Sequence, residues 1–284
     1  MFRSMMFVPA TNEKFIAKAT TRGADAVILD LEDSIPPAEK LNARAALAGA
    51  IPRCRSEKGQ VWVRVNRPIR LCIGDLEASV RAGADGIMLP KTESSEHVRF
   101  VAEVLDEVER EVGKTTQTPL FCILEDPHAV LTATTIVGSH ERIKIASTGS
   151  EDLATALGAA PLPETLKVAK QMVHLAIKGA GRYSFGLFGT VANYSDLEGI
   201  RALVAEAKLH GFDGATCIHP GVVPLLNDGF RVSDEEYEEA QRIIAVFDEA
   251  ERQGSASISL DGKMIDIPVV DRARNLVEKA NRWR

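Results

Sequence analysis

Eight short apolar runs, separated by stretches of helical periodicity, constrain this chain more than any other feature. They occupy residues 5–9, 26–33, 61–66, 86–91, 119–125, 143–147, 183–188 and 214–219, and most are rich in Val, Ile, Leu or Phe. Continuous apolar runs of about four to eight residues suit strands buried on both faces of a parallel sheet. Residues 98–112 carry Val101, Val104, Leu105 and Val108 at helical spacing. Residues 196–210 behave alike and stop at Gly211. Residues 12–21 and 37–51 read as further helices. Eight βα units in about 220 residues predict an α/β fold of the TIM (β/α)8 barrel type. A doubly wound open sheet is the alternative. Its usual glycine-rich first turn is missing, because the first turn here reads Val8-Pro9-Ala10-Thr11-Asn12, and no GxxxxGK[ST] occurs anywhere.

Gly23-Ala24-Asp25, Gly83-Ala84-Asp85 and Gly211-Phe212-Asp213 each precede a run. They read as shared helix-to-strand turn chemistry. After residue 252 the composition shifts to Gln253-Gly254-Ser255-Ala256-Ser257, a connector. An Asp261-Gly262 turn and a terminal helical stretch follow. The expected division is a barrel domain, 1–252, and a C-terminal helical extension, 253–284. The extension is too short to hold a core of its own, so it packs on this barrel or on another subunit.

Composition narrows the partners. Lys and Arg number 34 against 40 Asp and Glu, a net charge of −6, so general binding to a nucleic-acid backbone is not expected. With 45% hydrophobic residues the chain can bury a sizeable core. No run of about 18 apolar residues exists, so no membrane span is expected. The apolar stretch at 5–8 is too short for a secretion signal. Cys54, Cys72, Cys122 and Cys217 show no CxxC spacing and read as reduced thiols of a cytoplasmic protein.

In a barrel the chemistry sits at the C-terminal strand ends, and several runs here end in charge. They supply Asp30, Glu32 and Asp33; Arg64 and Asn66; Lys91; Glu125 and Asp126; Glu151 and Asp152; and His219. Charges at buried strand ends are costly unless paired or bound to a cation. Glu32, Asp33, Glu125 and Asp152 cannot all stay ionised close together without positive charge. Carboxylates plus water are a typical Mg²⁺ arrangement, and the same acids would also suit the starts of helices. Arg64, between valines, suits a substrate carboxylate or an internal ion pair with Glu32 or Asp33. His219 reads as an acid–base group or as a satisfied structural histidine. Lys91 reads as an ion-pair partner or as a Schiff-base amine.

Seven motifs occur in order. They are Arg3-Ser4 with Phe7-Val8-Pro9, Asp30-Leu31-Glu32-Asp33-Ser34, Val63-Arg64-Val65-Asn66, Leu89-Pro90-Lys91, Glu151-Asp152-Leu153 with Leu157-Gly158, Cys217-Ile218-His219-Pro220 and Gly262-Lys263-Met264-Ile265-Asp266. Together they make the chain resemble the citrate lyase β-subunit-like family of the HpcH/HpaI aldolase superfamily, from residue 3 to about 270. Its relatives include malyl-CoA, citramalyl-CoA and citryl-CoA lyases. The resemblance implies a TIM barrel, trimeric or hexameric, that uses Mg²⁺. It also implies cleavage or condensation of a 3-hydroxy-carboxyacyl-CoA thioester, with a 2-oxo acid and an acyl-CoA as the other side of the reaction. A thioesterase, or a β-subunit that acts only beside an acyl-carrier partner, is the alternative within the family.

By motif match, Glu125 and Asp152 are the expected metal ligands. Arg64 binds the oxo-acid carboxylate or steadies the enolate, with Glu32 and Asp33 behind the metal waters and Arg64. Asp266 is the expected catalytic carboxylate, delivered by the C-terminal segment of a neighbouring subunit. Arg3, Pro9 and Lys14 are expected to hold coenzyme A. The chain departs from the family at Ala10, where Gly usually follows Pro; at Asp126, beside the expected metal; and at 185–189, which lacks the acid often found there.

Overall fold

The computed structural model describes residues 2–57 and 59–282. The chain forms two compact units, Phe2–Phe230 and Arg231–Arg284, the second described as far as Arg282. In the first unit eight strands follow the expected runs: β1 Ser4–Pro9, β2 Ala26–Asp30, β3 Gln60–Arg64, β4 Gly86–Leu89, β5 Leu120–Leu124, β6 Ile143–Thr148, β7 Tyr183–Phe185 and β8 Ala215–Cys217. All pairings are parallel, in the order β7-β6-β5-β4-β3-β2-β1-β8. A bridge between Phe185 and Gly214 joins the two ends, and the Gly186 N–H donates to the Gly214 carbonyl at 2.9 Å. The sheet therefore closes into a (β/α)8 barrel and is not an open doubly wound sheet.

Side chains alternate along the strands, except at the start of β6, where a register shift against β5 puts Ile143 and Ile145 in different clusters. Met5, Ala26, Ile28, Trp62, Met88, Phe121, Ile123, Ile145 and Phe185 form one buried cluster that fills the barrel. Their neighbours in sequence, such as Val27, Leu29, Val61, Val63, Cys122 and Leu124, belong to a second cluster between strands and helices. This two-sided burial is why the strands read as unbroken apolar runs. The runs expected at 26–33, 86–91 and 183–188 overshoot their strands, which end at Asp30, Leu89 and Phe185; the residues beyond, such as Glu32, Asp33 and Lys91, lie in the rim loops.

Around the barrel, Lys40–Cys54, Ser95–Glu111 and Leu197–Leu209 are helices, the last two capped by Ser94 and Asp196. The helix expected at 12–21 is broken into Glu13–Ile16 and a 3₁₀ turn, Ala19–Thr21. The Thr20-Thr21 pair disfavours helix, and Thr21 Oγ1 donates to the Lys18 carbonyl at 2.9 Å.

The three Gly-x-Asp turns share one construction. Gly23, Gly83 and Gly211 have φ of +74°, +82° and +90°, the left-handed region that ends a helix. Each following aspartate accepts from a backbone amide at the start of a neighbouring strand. Asp25 accepts from the Arg3 N–H at 2.7 Å, Asp85 from Val61 at 2.7 Å and Asp213 from Ser184 at 2.9 Å. Each also pairs with a cation: Arg3, Arg55 and Lys178. This ring of anchors lies at the N-terminal strand ends, the face of such a barrel that serves stability.

The second unit contains a helix Asp234–Arg252, with a Ser233/Glu236 capping box, a hairpin β9 Ile258–Leu260 and β10 Lys263–Ile265, and a helix Ile267–Asn281. Asp261 and Gly262, both at positive φ, turn the hairpin. Phe247, Ile265 and Val270 form a buried cluster of their own. The expected boundary at 252 leaves out the helix that supplies Phe247; with that helix, the C-terminal segment does hold a core.

All four cysteines are free and buried, and burial pushes the Cys122 and Cys217 thiols up to about 12. Among the described residues no helix is long and apolar enough to cross a membrane.

Replacing Asp85 by Ala leaves the buried Val61 N–H without its acceptor. Urea unfolding should show a loss of about 1.5–3 kcal/mol, the range for a hydrogen bond to a charged group, with ligand binding at the opposite rim unchanged.

Candidate active site

The site is built by continuing the inward positions one step past the barrel core. Ile28 is followed two residues later by Asp30, Trp62 by Arg64, Ile123 by Glu125 and Ile145 by Ser147. The parallel register sets Asp30 directly beside Arg64. Arg64 Nε and one terminal nitrogen donate to the two Asp30 oxygens, both at 2.7 Å. The other terminal nitrogen lies 3.1 Å from Glu32 Oε2 and 3.4 Å from Asp33 Oδ2. The guanidinium also sits over the Phe7 ring, 4.7 Å from its centroid. Burial pushes the Asp30 carboxyl up, but Arg64, with help from Ser34 and the Glu32 amide, more than offsets it and holds the group below the usual carboxylate range.

Lys91 follows β4 with φ at +46°, rare for a residue with a side chain. That conformation lets it serve two carboxylates. Its N–H donates to Glu125 Oε2 at 3.2 Å and its Nζ to Glu32 Oε1 at 2.6 Å. Nζ also lies 3.6 Å from Asp33 and 3.9 Å from Asp152. Burial alone would lower the Lys91 ammonium, yet Glu32, Asp152 and Asp33 raise it to about 12. Burial, resisted by Arg64 and Lys91, still leaves Glu32 above its usual range.

Glu125 is 7% exposed, and burial, then repulsion by Asp152 and Glu32, pushes its carboxyl up to about 8. Gly149, in the loop after β6, makes room for it, since a Cβ there would collide with Glu125 Oε1. Asp152 lies in the first turn of the helix Ser150–Leu157. The same helix start carries Glu151, whose Oε1 accepts from Thr190 Oγ1 at 2.7 Å. These groups border a cavity of about 250 Å³, walled on its apolar side by Phe7, Ile123, Phe185, Leu187 and Ile218. A second cleft of about 260 Å³ shares Phe7 and Ile218 and adds Phe15, Arg22 and His219.

The rim thus gathers Glu32, Asp33, Arg64, Glu125 and Asp152, as expected from the strand ends. Pro9 ends β1 at this rim and Lys14 lies exposed in the helix just after it. Arg3 is not brought here, in disagreement with its expected coenzyme role. It precedes β1, at the opposite end of the strand, where Asp25 takes its guanidinium at 2.7 and 3.0 Å. Asp266 lies in the C-terminal unit and caps the helix Ile267–Asn281, accepting from the Val269 N–H at 3.3 Å. His219 caps a turn at the edge of the second cleft: its Nδ1 accepts from the Gly221 N–H at 3.1 Å and its ring stacks on Tyr194. Lys91 takes the ion-pair role. Two of the departures have plain structural places. Ala10 is fully buried in the outer core, and Asp126 caps the helix Pro127–Leu131, accepting from the His128 N–H at 2.8 Å.

Three residues escape sequence reasoning. Asp30, and not Glu32 or Asp33, is the main partner of Arg64; its inward phase with Ala26 and Ile28 is the signal. Gly149 has no signal in the sequence. Lys170, which also lines the cavity, hides within a helical apolar face.

Among the described residues no group of three or more His, Cys, Asp or Glu side chains is arranged to hold a metal. What the rim offers is a two-carboxylate, all-oxygen set in Glu125 and Asp152, with Arg64 and Lys91 already committed to Asp30 and Glu32. That set suits Mg²⁺, which keeps several waters and takes one or two protein carboxylates.

Asp30→Asn should cost about 3–5 kcal/mol at pH 7, the penalty for breaking a buried pair. Because the folded Asp30 is held low, its contribution is complete above the unfolded carboxylate value of about 3.9 and is lost as pH falls below it. Urea unfolding at pH 7 and below pH 4 should therefore show the gap between wild type and variant narrowing in acid.

Comparison with known proteins agrees with this geometry. Residues 3–220 match the HpcH/HpaI aldolase/citrate lyase family. The citrate lyase subunit beta of Haemophilus influenzae is 34% identical over 283 residues, covering 98% of this chain and 96% of that one. A (3S)-malyl-CoA thioesterase of Cereibacter sphaeroides is 33% identical over 281 residues, covering 98% and 94%. Among solved structures, CitE from Mycobacterium tuberculosis in complex with magnesium, acetoacetate and coenzyme A superposes with a TM-score of 0.77 at 26% identity, covering 98% and 97%. A closed parallel barrel, a carboxylate-rich rim and a match over most of the sequence make this chain a member of the HpcH/HpaI aldolase/citrate lyase family.

Proposed function

We propose that the protein is a Mg²⁺-dependent carbon–carbon lyase acting on a 3-hydroxy-carboxyacyl-CoA of the citramalyl, malyl or citryl type. The observation that carries this reading is the convergence of Glu125 and Asp152 beside Arg64 at one rim, with Glu125 driven up to about 8 by burial and then by its acidic neighbours. Such a set calls for a cation, and a bound Mg²⁺ would polarise the carbonyl oxygen of the departing 2-oxo acid and neutralise charge there.

Glu125 and Asp152 are the proposed metal ligands. Asp30 locks two nitrogens of Arg64, so the third, near Glu32 and Asp33, is the edge that would meet the oxo-acid carboxylate. Fixed in this way, Arg64 offers positive charge without reorganising. In the cleavage direction a carboxylate takes the β-hydroxyl proton and the C–C bond breaks. The electron pair passes to the thioester as an enolate, and reprotonation gives the acyl-CoA. We assign this proton transfer to Asp266 of a neighbouring copy in a homotrimer or homohexamer. Met264 and Ile267, 68% and 58% exposed, leave apolar surface on both sides of Asp266, as expected where another copy packs. The coenzyme is placed at the β1–β8 side, near Pro9 and Lys14 and along the cleft with Phe15. Arg3 has no part in it.

The thioesterase relative makes hydrolysis the competing reading, and the citrate lyase β-subunit relatives add dependence on an acyl-carrier partner. A panel of CoA thioesters with and without Mg²⁺, scored for 2-oxo acid and for free thiol, separates them. The lyase reading expects Mg²⁺-dependent 2-oxo acid from the purified chain; thiol without oxo acid would establish the thioesterase. Asp266→Asn should lower kcat by at least about 100-fold, within the range for a lost general acid–base group, while folding and Mg²⁺ binding persist. Glu125→Gln should instead weaken Mg²⁺ binding by more than about tenfold in calorimetric titration.

A further inference from the structure

Lys170 lies on the buried face of the helix Pro163–Gly179, in line with Leu166, Val173 and Ile177. It is 4% exposed, at a position where a methionine would pack without desolvating a charge. Its ammonium has three donors, and three oxygens meet them. Nζ lies 2.6 Å from Ser150 Oγ, 2.6 Å from the Leu187 carbonyl and 3.0 Å from the Gly189 carbonyl. Ser150 Oγ in turn donates to the same Gly189 carbonyl at 3.0 Å.

The acceptors belong to two segments that need a tether. Ser150 begins the helix whose third residue is Asp152. Leu187 and Gly189 belong to the stretch 186–196, which contains neither helix nor strand yet forms one wall of the cavity. We propose that Lys170 is a positioning residue that pins the start of the Asp152 helix to the loop after β7, so that the Asp152 carboxylate and the cavity wall are held in place before ligand arrives. Among the described residues no carboxylate hydrogen-bonds to it, and Glu151 acts on it only through space. The Thr190–Glu151 hydrogen bond links the same two segments at the cavity mouth, and Lys170 does so from beneath.

The inference rests on the metal reading above, and two measurements keep them apart. Lys170→Met, checked for a native far-UV spectrum and cooperative unfolding, should bind Mg²⁺ at least about tenfold more weakly in calorimetric titration, as for residues that orient metal ligands. Its amides at 150–152 and 187–192 should exchange hydrogen faster than in the wild type, with the rest of the barrel unchanged. Ser150→Ala, which removes one of the three acceptors, should move both quantities in the same direction by less, and it decides the matter if Lys170→Met does not fold. Exchange unchanged in both segments, or Mg²⁺ affinity within about twofold of wild type in a folded variant, overturns the inference. A wild-type chain that binds no Mg²⁺ overturns the metal reading instead, and the exchange arm then decides the tether alone.

Discussion

Charge balance at the open end of the barrel is the constraint on which the rest depends. A strand buried on both faces cannot end in an inward carboxylate unless something compensates it. Asp30 is compensated by the fork of Arg64, its lateral neighbour in the sheet, and Glu32 by Lys91. Those two pairs engage Arg64 and Lys91, whose remaining attraction for Glu125 does not offset its burial. Glu125 is left buried, accepting from the Lys91 amide, with Asp152 and Glu32 opposing its ionisation. The arrangement stores a demand for a cation at one point of the rim, where a reacting carbonyl and its developing charge would also lie.

The barrel separates this demand from its own stability. At the N-terminal strand ends Asp25, Asp85 and Asp213 clamp strand amides and pair with Arg3, Arg55 and Lys178. Those acids are neutralised completely within the chain. At the C-terminal ends Asp30 is paired in the same way, but among the described residues Glu125 has no such cation fork. The contrast explains why Arg3, which sits within a family motif, takes no part in the site: the strand carries it to the clamped end.

Much of this was legible in the sequence. Two-sided burial writes the strands as apolar runs, so all eight could be placed and the closed barrel expected. The rim acids followed, since they terminate those runs. The period of two would also have singled out Asp30, because it shares a face with Ala26 and Ile28 while Leu31 and Asp33 do not. What could not be read depends on distance across the fold. Gly149 matters because Glu125 from another strand lies against it. Lys170 matters because a helix start 20 residues before it and a loop 17 to 19 residues after it converge on one ammonium. The start of the C-terminal unit was hard to read for a related reason: the helix Asp234–Arg252 shares a buried cluster with Ile265 and Val270, which lie beyond the connector.

The central claim is that Glu125 and Asp152 jointly hold one divalent cation. Crystals of the wild-type protein soaked in Mn²⁺, a stand-in for Mg²⁺ with a measurable anomalous signal, test it most directly. The account expects a single strong anomalous peak bonded to both carboxylates, with waters completing an octahedral shell. A peak bonded to neither carboxylate, or none at saturating metal, would contradict it.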